Sequence, residues 1–358
     1  VTDFTKVNPE FGTLEDFRTL VKTAHENDIY VILDWVPNHT GWDHSWIKTN
    51  PEYYTQNEAG DIIDPINPDT GESWGWQDVA DLNYDNKEMR AEMIEDMLFW
   101  ITQENIDGFR CDVASAVPLD FWKDAIAKLR AKKDIFMLAE AGEANLVEGT
   151  ELFDMVYGWD RHHVFNQMAK SEDAVSLWKE SIKRDMNLYE ADDILMTFVT
   201  NHDENSWNGT VRERMGDAAE LLTALSFVAP GMPLIYSGQE YDLDHRLLFF
   251  EKDQIPSTKG VMWPLLEKLG LLKNTNPALH GGKNPAAYTD IETTNSKVLA
   301  FSREKNKHKV IFIGNFSNEN QSLENPSIGA LDFDSKIVVD EKTVLLKPWE
   351  FKILLDYK

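Results

Sequence analysis

Short apolar runs alternate with longer segments of helical periodicity from the start of this sequence to about residue 276. The first run, YVILD at 30–34, follows the segment TLEDFRTLVKTAHEND, in which apolar residues at 14, 17, 20 and 21 lie near helical spacing. Thr13 and Asp16 have the spacing of a capping box, which predicts where that helix begins. Strands that alternate with helices pair in parallel, so the pattern predicts βαβ units.

The same alternation recurs along the chain and gives six predicted strands in an α/β fold. The strand predictions are 30–34, 107–112, 135–140, 153–158, 195–203 and 232–238. Helices are predicted near 86–104, 119–132, 164–189, 215–228 and 262–273, in addition to the first.

Two regions depart from this pattern. From 277 to 358 no long amphipathic segment is apparent, and short runs such as KVLAFSRE and KVIFIGNFS alternate with polar turns, which predicts a small all-β sandwich. Residues 40–85 form a long connection rich in Trp, Asp, Asn, Pro and Gly, which is typical of a functional loop or an inserted small domain. The predicted domains are therefore 1–276 with an insertion at 40–85, followed by 277–358.

The charge of the chain restricts its partners. It has 62 acidic and 35 basic residues and a net charge of -27, which disfavours nucleic acid and anionic membranes and leaves a neutral substrate as the simplest partner. The single cysteine, Cys111, excludes an internal disulfide framework. The chain begins with Val1 rather than methionine, so we expect a preceding segment. Compartment and oligomeric state stay open.

Four of the predicted strands end in charged or polar residues: DWVPNH at 34–39, GFRCD at 108–112, MLAE at 137–140 and VTNHDEN at 199–205. In a parallel barrel the carboxyl ends of all strands meet on one face, where barrel active sites lie. We therefore expect one site that contains Asp34, His39, Arg110, Asp112, Glu140, His202 and Asp203.

Three carboxyl groups and an arginine around one pocket suit a reaction that builds positive charge on a neutral substrate, and glycoside cleavage is such a reaction. Arg110 and Asp112 share a face of their strand, so the guanidinium can hold Asp112 ionised as a nucleophile. Glu140, with apolar and acidic neighbours, suits the protonated acid. Taken singly, Arg110 and Asp112 also fit a structural ion pair, and Glu140 fits an exposed acid at a helix start.

The four stretches, in this order and spacing, resemble the signature regions of the α-amylase superfamily, glycoside hydrolase family 13. The resemblance implies a (β/α)8 TIM-type barrel with an inserted domain B at 40–85 and a C-terminal β domain C, here without the first two barrel strands. It also implies that Asp112 is the nucleophile, Glu140 the general acid/base and Asp203 the third carboxylate. The implied substrate-binding residues are Arg110 beside the nucleophile, His39 and His202 on the sugar, Asp34 in support, and Trp74 and Trp76 as stacking platforms.

The same resemblance raises the question of calcium. Family members commonly hold one calcium ion through an asparagine in the first motif and carboxylates of domain B, and Asn38, Asp78 and Asp81 are present here. The second motif, however, lacks the Lys-His pair that follows the nucleophile in the family pattern. We therefore predict no metal and no cofactor.

The predicted function is a retaining hydrolase of α-1,4-glucans or maltooligosaccharides. Val113, directly after the nucleophile position, resembles the α-1,6-glucosidase branch, so an α-1,6-glucosidase and a transglycosylase of the same superfamily are the first alternatives. A non-catalytic glucan-binding module is the second, although the presence of all three carboxylates argues against it. A phosphate-handling barrel is a poor match, because APGMPLIYSGQE does not read as a glycine-rich phosphate loop.

Overall fold

The computed structural model describes residues 1–357, which form two compact units divided between Tyr157 and Gly158. The first unit contains helices α1 Leu14–Glu26, α2 Trp46–Thr49, α3 Lys87–Thr102 and α4 Leu119–Arg130. Its strands are β1 Ile32–Trp35, β2 His39–Gly41, β3 Val79–Asp81, β4 Gly108–Cys111, β5 Phe136–Ala139 and β6 Met155–Tyr157. The predicted strand–helix alternation is confirmed here.

Strands β1, β4, β5 and β6 pair in parallel in that order. The pairing of β1 with β4 sets Asp34 opposite Arg110. At the start of β4, Gly108 has a φ of 149°, and a Cβ there would lie 1.8 Å from the Phe136 carbonyl oxygen of β5. Glycine therefore permits the close approach of the two strands that carry Arg110 and Glu140.

Helix α1 begins as the sequence predicts. The Thr13 hydroxyl accepts from the Asp16 amide at 3.2 Å, and the Asp16 carboxylate accepts from the Thr13 amide at 2.8 Å, which completes the capping box. In the region predicted as an insertion, β2 and β3 form a short antiparallel pair in which His39 faces Asp81. The predicted domain boundaries stay predictions, and the division of the chain into compact units falls elsewhere, after Tyr157.

The second unit contains helices α5 Trp159–Met168, α6 Ala174–Leu188, α7 Val211–Met215, α8 Ala219–Val228 and α9 Met262–Thr275. Its strands are β7 Ile194–Thr197, β8 Met232–Pro233, β9 Ala287–Asp290, β10 Val298–Lys305, β11 His308–Asn315, β12 Gln321–Glu324, β13 Ala330–Asp332, β14 Val338–Val339, β15 Thr343–Leu346 and β16 Phe351–Tyr357. Strands β7 and β8 pair in parallel. The helix predicted over 164–189 is two helices, because a turn at Ser171–Asp173, closed by the Ser171 hydroxyl, separates α5 from α6.

The C-terminal strands form an antiparallel six-stranded sheet, β14-β13-β16-β11-β10-β9, and a two-stranded sheet, β12-β15. Strand β10 is buried on both faces. Val298 and Ala300 pack in a core with residues of β12 and β15, whereas Leu299 and Phe301 pack in a second core with residues of α8 and α9. Because side chains alternate along a strand, one strand serves both cores. The predicted all-β sandwich is confirmed. Among residues 1–357, no helix is long and apolar enough to cross a bilayer.

Candidate active site

Arg110 of β4 is the centre of a cluster of acidic and hydroxyl groups in the first unit. Its side chain is 9% exposed, and its Nη1 donates to Asp34 Oδ1 at 2.8 Å and to Asp112 Oδ1 at 2.7 Å. Its Nη2 lies 2.8 Å from Glu140 Oε1 without a hydrogen-bond alignment, so that contact is ionic, and its Nε donates to the Tyr157 hydroxyl at 3.1 Å. The parallel register therefore brings the ends of four neighbouring strands onto one guanidinium.

Glu140 and Asp112 differ in electrostatic environment although both contact Arg110. Burial raises the pKa of Glu140 to about 8; Arg110 opposes this shift, and the charge of Asp112 adds to it. Glu140 therefore carries a proton at neutral pH. The short charge-assisted hydrogen bond from Arg110 stabilises the negative charge on Asp112. A carboxyl group of raised pKa next to a carboxylate that a guanidinium stabilises can serve as acid beside a nucleophile.

Val113 directly follows Asp112 and contacts Glu140 through its backbone amide. Its backbone conformation is left-handed, with φ 44° and ψ 44°. A β-branched residue is uncommon there, and such strain costs on the order of 1–3 kcal/mol. The conformation accompanies a hydrogen bond from the Val113 amide to Glu140 Oε2 at 3.1 Å. The backbone turn after Asp112 thus also fixes the second carboxyl oxygen of Glu140.

His39 and two tryptophans form an aromatic group in the first unit. The Trp76 ring lies 5.7 Å from the His39 ring and 4.7 Å from the Trp74 ring, measured between centroids. Trp76 is 38% exposed, so much of its ring remains free to contact a ligand. Burial lowers the pKa of His39, so the imidazole is neutral at neutral pH and can both donate and accept hydrogen bonds.

His202 and Asp203 belong to the second unit, where they follow β7. His202 Nε2 lies 3.4 Å from Asp203 Oδ2, and both side chains are partly exposed. A π-helix, Glu204–Asn208, begins directly after Asp203; such turns are rare and frequent at functional sites. The buried Glu204 holds this segment, since its Oε2 lies 3.0 Å from Nε2 of His162 on α5.

Two of these contacts are outside the sequence predictions. Tyr157, which ends β6 and bonds Arg110, was recognisable only as a polar residue at a strand end. The pair of His162 and Glu204 had no signal in sequence, because the two residues are 42 positions apart and become neighbours only when α5 packs beside the π-helix.

The residues that the resemblance implies for calcium do not form a carboxylate cage. Asp78 is exposed, whereas Asp81 is buried and its pKa is raised by burial to about 6. Asn38 directs its amide nitrogen to His39 Nδ1 at 3.4 Å. Neither Asp78 nor Asp81 belongs to a group of His, Cys, Asp or Glu side chains in residues 1–357 that lie close enough together to hold a metal ion.

Comparisons with known proteins identify the family. The family model for the α-amylase catalytic domain matches residues 1–268. The α-amylase MalA of Haloarcula japonica is 24% identical over 332 residues, covering 91% of this chain and 49% of that protein. A cyclomaltodextrin glucanotransferase of Bacillus sp. (strain 38-2) is 25% identical over 338 residues, covering 84% of this chain and 45% of that protein. The chain thus spans about half the length of these curated relatives.

A solved structure supports the same assignment. The noncanonic maltogenic α-amylase AmyB of Thermotoga neapolitana aligns with a TM-score of 0.85 and 26% identity, covering all of this chain and 84% of that one. This similarity confirms the predicted fold, in which parallel strands alternate with helices and a C-terminal antiparallel region follows. With the family model matched over 268 of its 358 residues, the chain belongs to the α-amylase family.

Proposed function

We propose that this chain is a retaining hydrolase of α-glucans and that it cleaves α-1,4-glucosidic bonds of maltooligosaccharides. The observation that carries the proposal is the contact of both Glu140 and Asp112 with the single Arg110 guanidinium, at a site where burial raises the pKa of Glu140. A double-displacement mechanism needs such a pair, one carboxyl group with a proton to give and one with a charge to attack.

In the proposed mechanism, Asp112 attacks the anomeric carbon while Glu140 protonates the departing glycosidic oxygen. The bond from the anomeric carbon to that oxygen breaks, and a covalent glycosyl ester forms on Asp112. Glu140, now ionised, then takes a proton from a water molecule that displaces Asp112 and restores the α-configuration. Asp203 is the proposed support for the oxocarbenium-like transition state.

The remaining predicted residues are assigned to substrate binding. His39 and His202 are proposed to hydrogen-bond sugar hydroxyl groups, and Asp34 to hold Arg110 in place through the 2.8 Å contact. Trp76, with Trp74 behind it, offers an exposed ring on which the apolar face of a sugar can stack.

The relatives favour an α-1,4 linkage without excluding transfer. The names of the similar proteins include α-amylases and a cyclomaltodextrin glucanotransferase, both of which point to α-glucans. A transglycosylase is therefore the second candidate, because the same glycosyl ester reacts with a sugar hydroxyl instead of water. The α-1,6-glucosidase alternative rests on Val113 alone.

Incubation of the 358-residue chain with maltoheptaose and, separately, with panose tests the proposal when products are followed by anomer-resolved NMR. We expect maltoheptaose to give shorter α-products at early times, and panose to be cleaved at its α-1,4 bond. Early β-products would contradict the retaining mechanism, and exclusive cleavage of the α-1,6 bond of panose would contradict the linkage. Products longer than maltoheptaose would establish transfer.

A further inference from the structure

The second unit contains a cavity of about 460 Å³ that involves none of the predicted site residues. The end of α6, the starts of β7 and β8, and strand β9 with its preceding loop contribute to its wall. Ile182, Ile194 and Pro230 give apolar surface, and Arg161, Asp185 and Arg303 give charge. The cavity therefore combines an apolar wall with buried charged groups, as ligand sites do.

Arg303 of β10 lines the cavity and is 1% exposed. Its Nη1 donates to the Val228 carbonyl at 3.3 Å, and its Nη2 donates to the carbonyls of His280 at 3.3 Å and Ala286 at 3.2 Å. Its Nε is buried and has no acceptor within residues 1–357. A guanidinium with only long bonds to neutral groups and one unused donor is an unfavourable arrangement unless an anion completes it.

A second cation beside the cavity also lacks an acidic partner. Lys273 of α9 donates to the carbonyl of Gly231, a cavity residue, at 2.7 Å. Burial, together with the charges of Arg303 and Arg161, lowers the pKa of Lys273 to about 7. In the described chain neither Lys273 nor Arg303 forms an ion pair, whereas Arg161 is paired with Asp185 at 2.5 Å. Of the acidic residues that line the cavity, Asp185 is buried and paired with Arg161, Glu190 is exposed and Asp193 is partly exposed.

We propose that this cavity binds a small oxyanion, such as a phosphate group, through Arg303 and Lys273. A guanidinium presents N–H groups in a planar fork that matches the oxygens of phosphate better than a spherical halide. The neutral glucan of the proposed reaction has no charge to place there, so this ligand is distinct from the substrate. The volume leaves room for an organic group on the phosphate, next to Ile182 and Ile194.

Isothermal titration of the 358-residue chain with inorganic phosphate, at constant ionic strength adjusted with chloride, tests the proposal. We expect saturable 1:1 binding of phosphate. Lys273→Met should raise the dissociation constant by about tenfold or more, and a tenfold change corresponds to roughly 1.4 kcal/mol. Lys268→Met removes one charge from the same helix at an exposed position and should leave binding unchanged. Absence of saturable binding to the wild-type chain, or equal binding by both variants, would overturn the proposal.

A second variant tests the cavity without altering a charge. Gly281 lines the cavity with an ordinary backbone conformation, and a Cβ there would have only Ile194 in contact, at 4.0 Å. Gly281→Leu should fill the space and abolish phosphate binding while the circular dichroism spectrum is unchanged. Retained binding in this folded variant would place the phosphate elsewhere and reject the site. Phenyl phosphate in place of phosphate distinguishes the ligands: tighter binding indicates an organic phosphate, and equal binding indicates the inorganic ion.

Discussion

Arg110 and Arg303 are both buried arginines on strands, but their surroundings differ in kind. Arg110 contacts three carboxyl groups and a tyrosine hydroxyl, whereas Arg303 contacts three backbone carbonyls at long distance and leaves Nε unused. A cation with its own anionic partners controls how those partners ionise. A buried cation without anionic partners has an uncompensated positive charge, which a bound external anion can neutralise. The same residue type thus has a proposed role in catalysis in one region and a proposed role in ligand binding in the other.

The largest effect should come from removing the charge of the proposed nucleophile. Asp112→Asn is expected to lower hydrolysis of maltoheptaose by about 10⁴-fold or more, since loss of a nucleophile is typically of that order. Binding of maltoheptaose, measured by titration calorimetry, should remain near that of the wild-type chain. Asp124→Asn, at an exposed position on α4, is the matched control. Wild-type rates for the Asp112 variant would remove the nucleophile assignment.

Glu140→Gln tests the acid role and should depend on the leaving group. We expect a loss of about 10²–10⁴-fold on maltoheptaose and a much smaller loss on an activated aryl α-glycoside, which departs without protonation. Equal losses on the two substrates would count against proton donation by Glu140.

The pH dependence of kcat, compared between the wild-type chain and the E140Q variant, tests whether Glu140 is the group whose raised pKa limits the activity. A general acid is active while protonated, and the pKa of Glu140 is raised to about 8, so the wild-type kcat should fall as pH rises through about 8. The E140Q variant cannot ionise at this position and should lose that basic limb on the aryl substrate. A basic limb of unchanged midpoint in the variant would assign the titration to another group.

The comparison of the two arginines can be tested directly by unfolding experiments. Arg110→Met leaves three carboxyl groups together and should lower the free energy of unfolding by about 3–5 kcal/mol at pH 7. This loss should shrink toward pH 4, where carboxyl groups take up protons. Arg303→Met removes long bonds to neutral carbonyls together with a buried charge that has no anionic partner, so it should change the free energy of unfolding by no more than about 1 kcal/mol, independent of pH in this range. Denaturant titration at both pH values measures the difference, and equal pH dependence would invalidate the comparison.

The smallest effect is expected at the aromatic platform. Trp76→Ala should weaken maltoheptaose binding by about 0.5–1.5 kcal/mol, seen as a raised KM with a nearly unchanged kcat. Trp42 is similarly exposed, at 40%, but donates through Nε1 to the Gln77 carbonyl, and Trp42→Ala serves as the control. An equal rise in KM for both variants would show that Trp76 has no specific contact with the sugar.

Much of the fold could be predicted from local pattern. The capping box of Thr13 and Asp16 and the alternation of strands with helices are confirmed, because both depend on neighbours within a few positions. The single helix predicted over 164–189 was wrong, since apolar spacing continues on both sides of the turn at Ser171–Asp173. Strand β7 ends at Thr197, earlier than predicted, so His202 and Asp203 lie at the start of the helical segment that follows and not on the strand.

The sequence does not distinguish the roles of the two aspartates that flank β4. Asp107 and Asp112 are alike in sequence, yet Asp107 bonds His25 at 2.7 Å and Lys133 at 2.9 Å and ties α1 and the chain after α4 to the sheet. Asp112 instead contacts Arg110 beside Glu140. Only strand direction separates them, since the carboxyl ends of the parallel strands carry the proposed site and the amino ends carry the structural contact.

The sequence by itself determined the order of elements, the family and the polar residues at the strand ends, because each of these depends only on residue type and on spacing along the chain. The tertiary structure decided which of those residues share Arg110, which carboxyl group has a raised pKa, and that neither Arg303 nor Lys273 forms an ion pair beside the cavity of the second unit. These properties depend on burial and on neighbours far apart in the chain, since charge interactions follow distance in space and local dielectric, neither of which sequence spacing specifies.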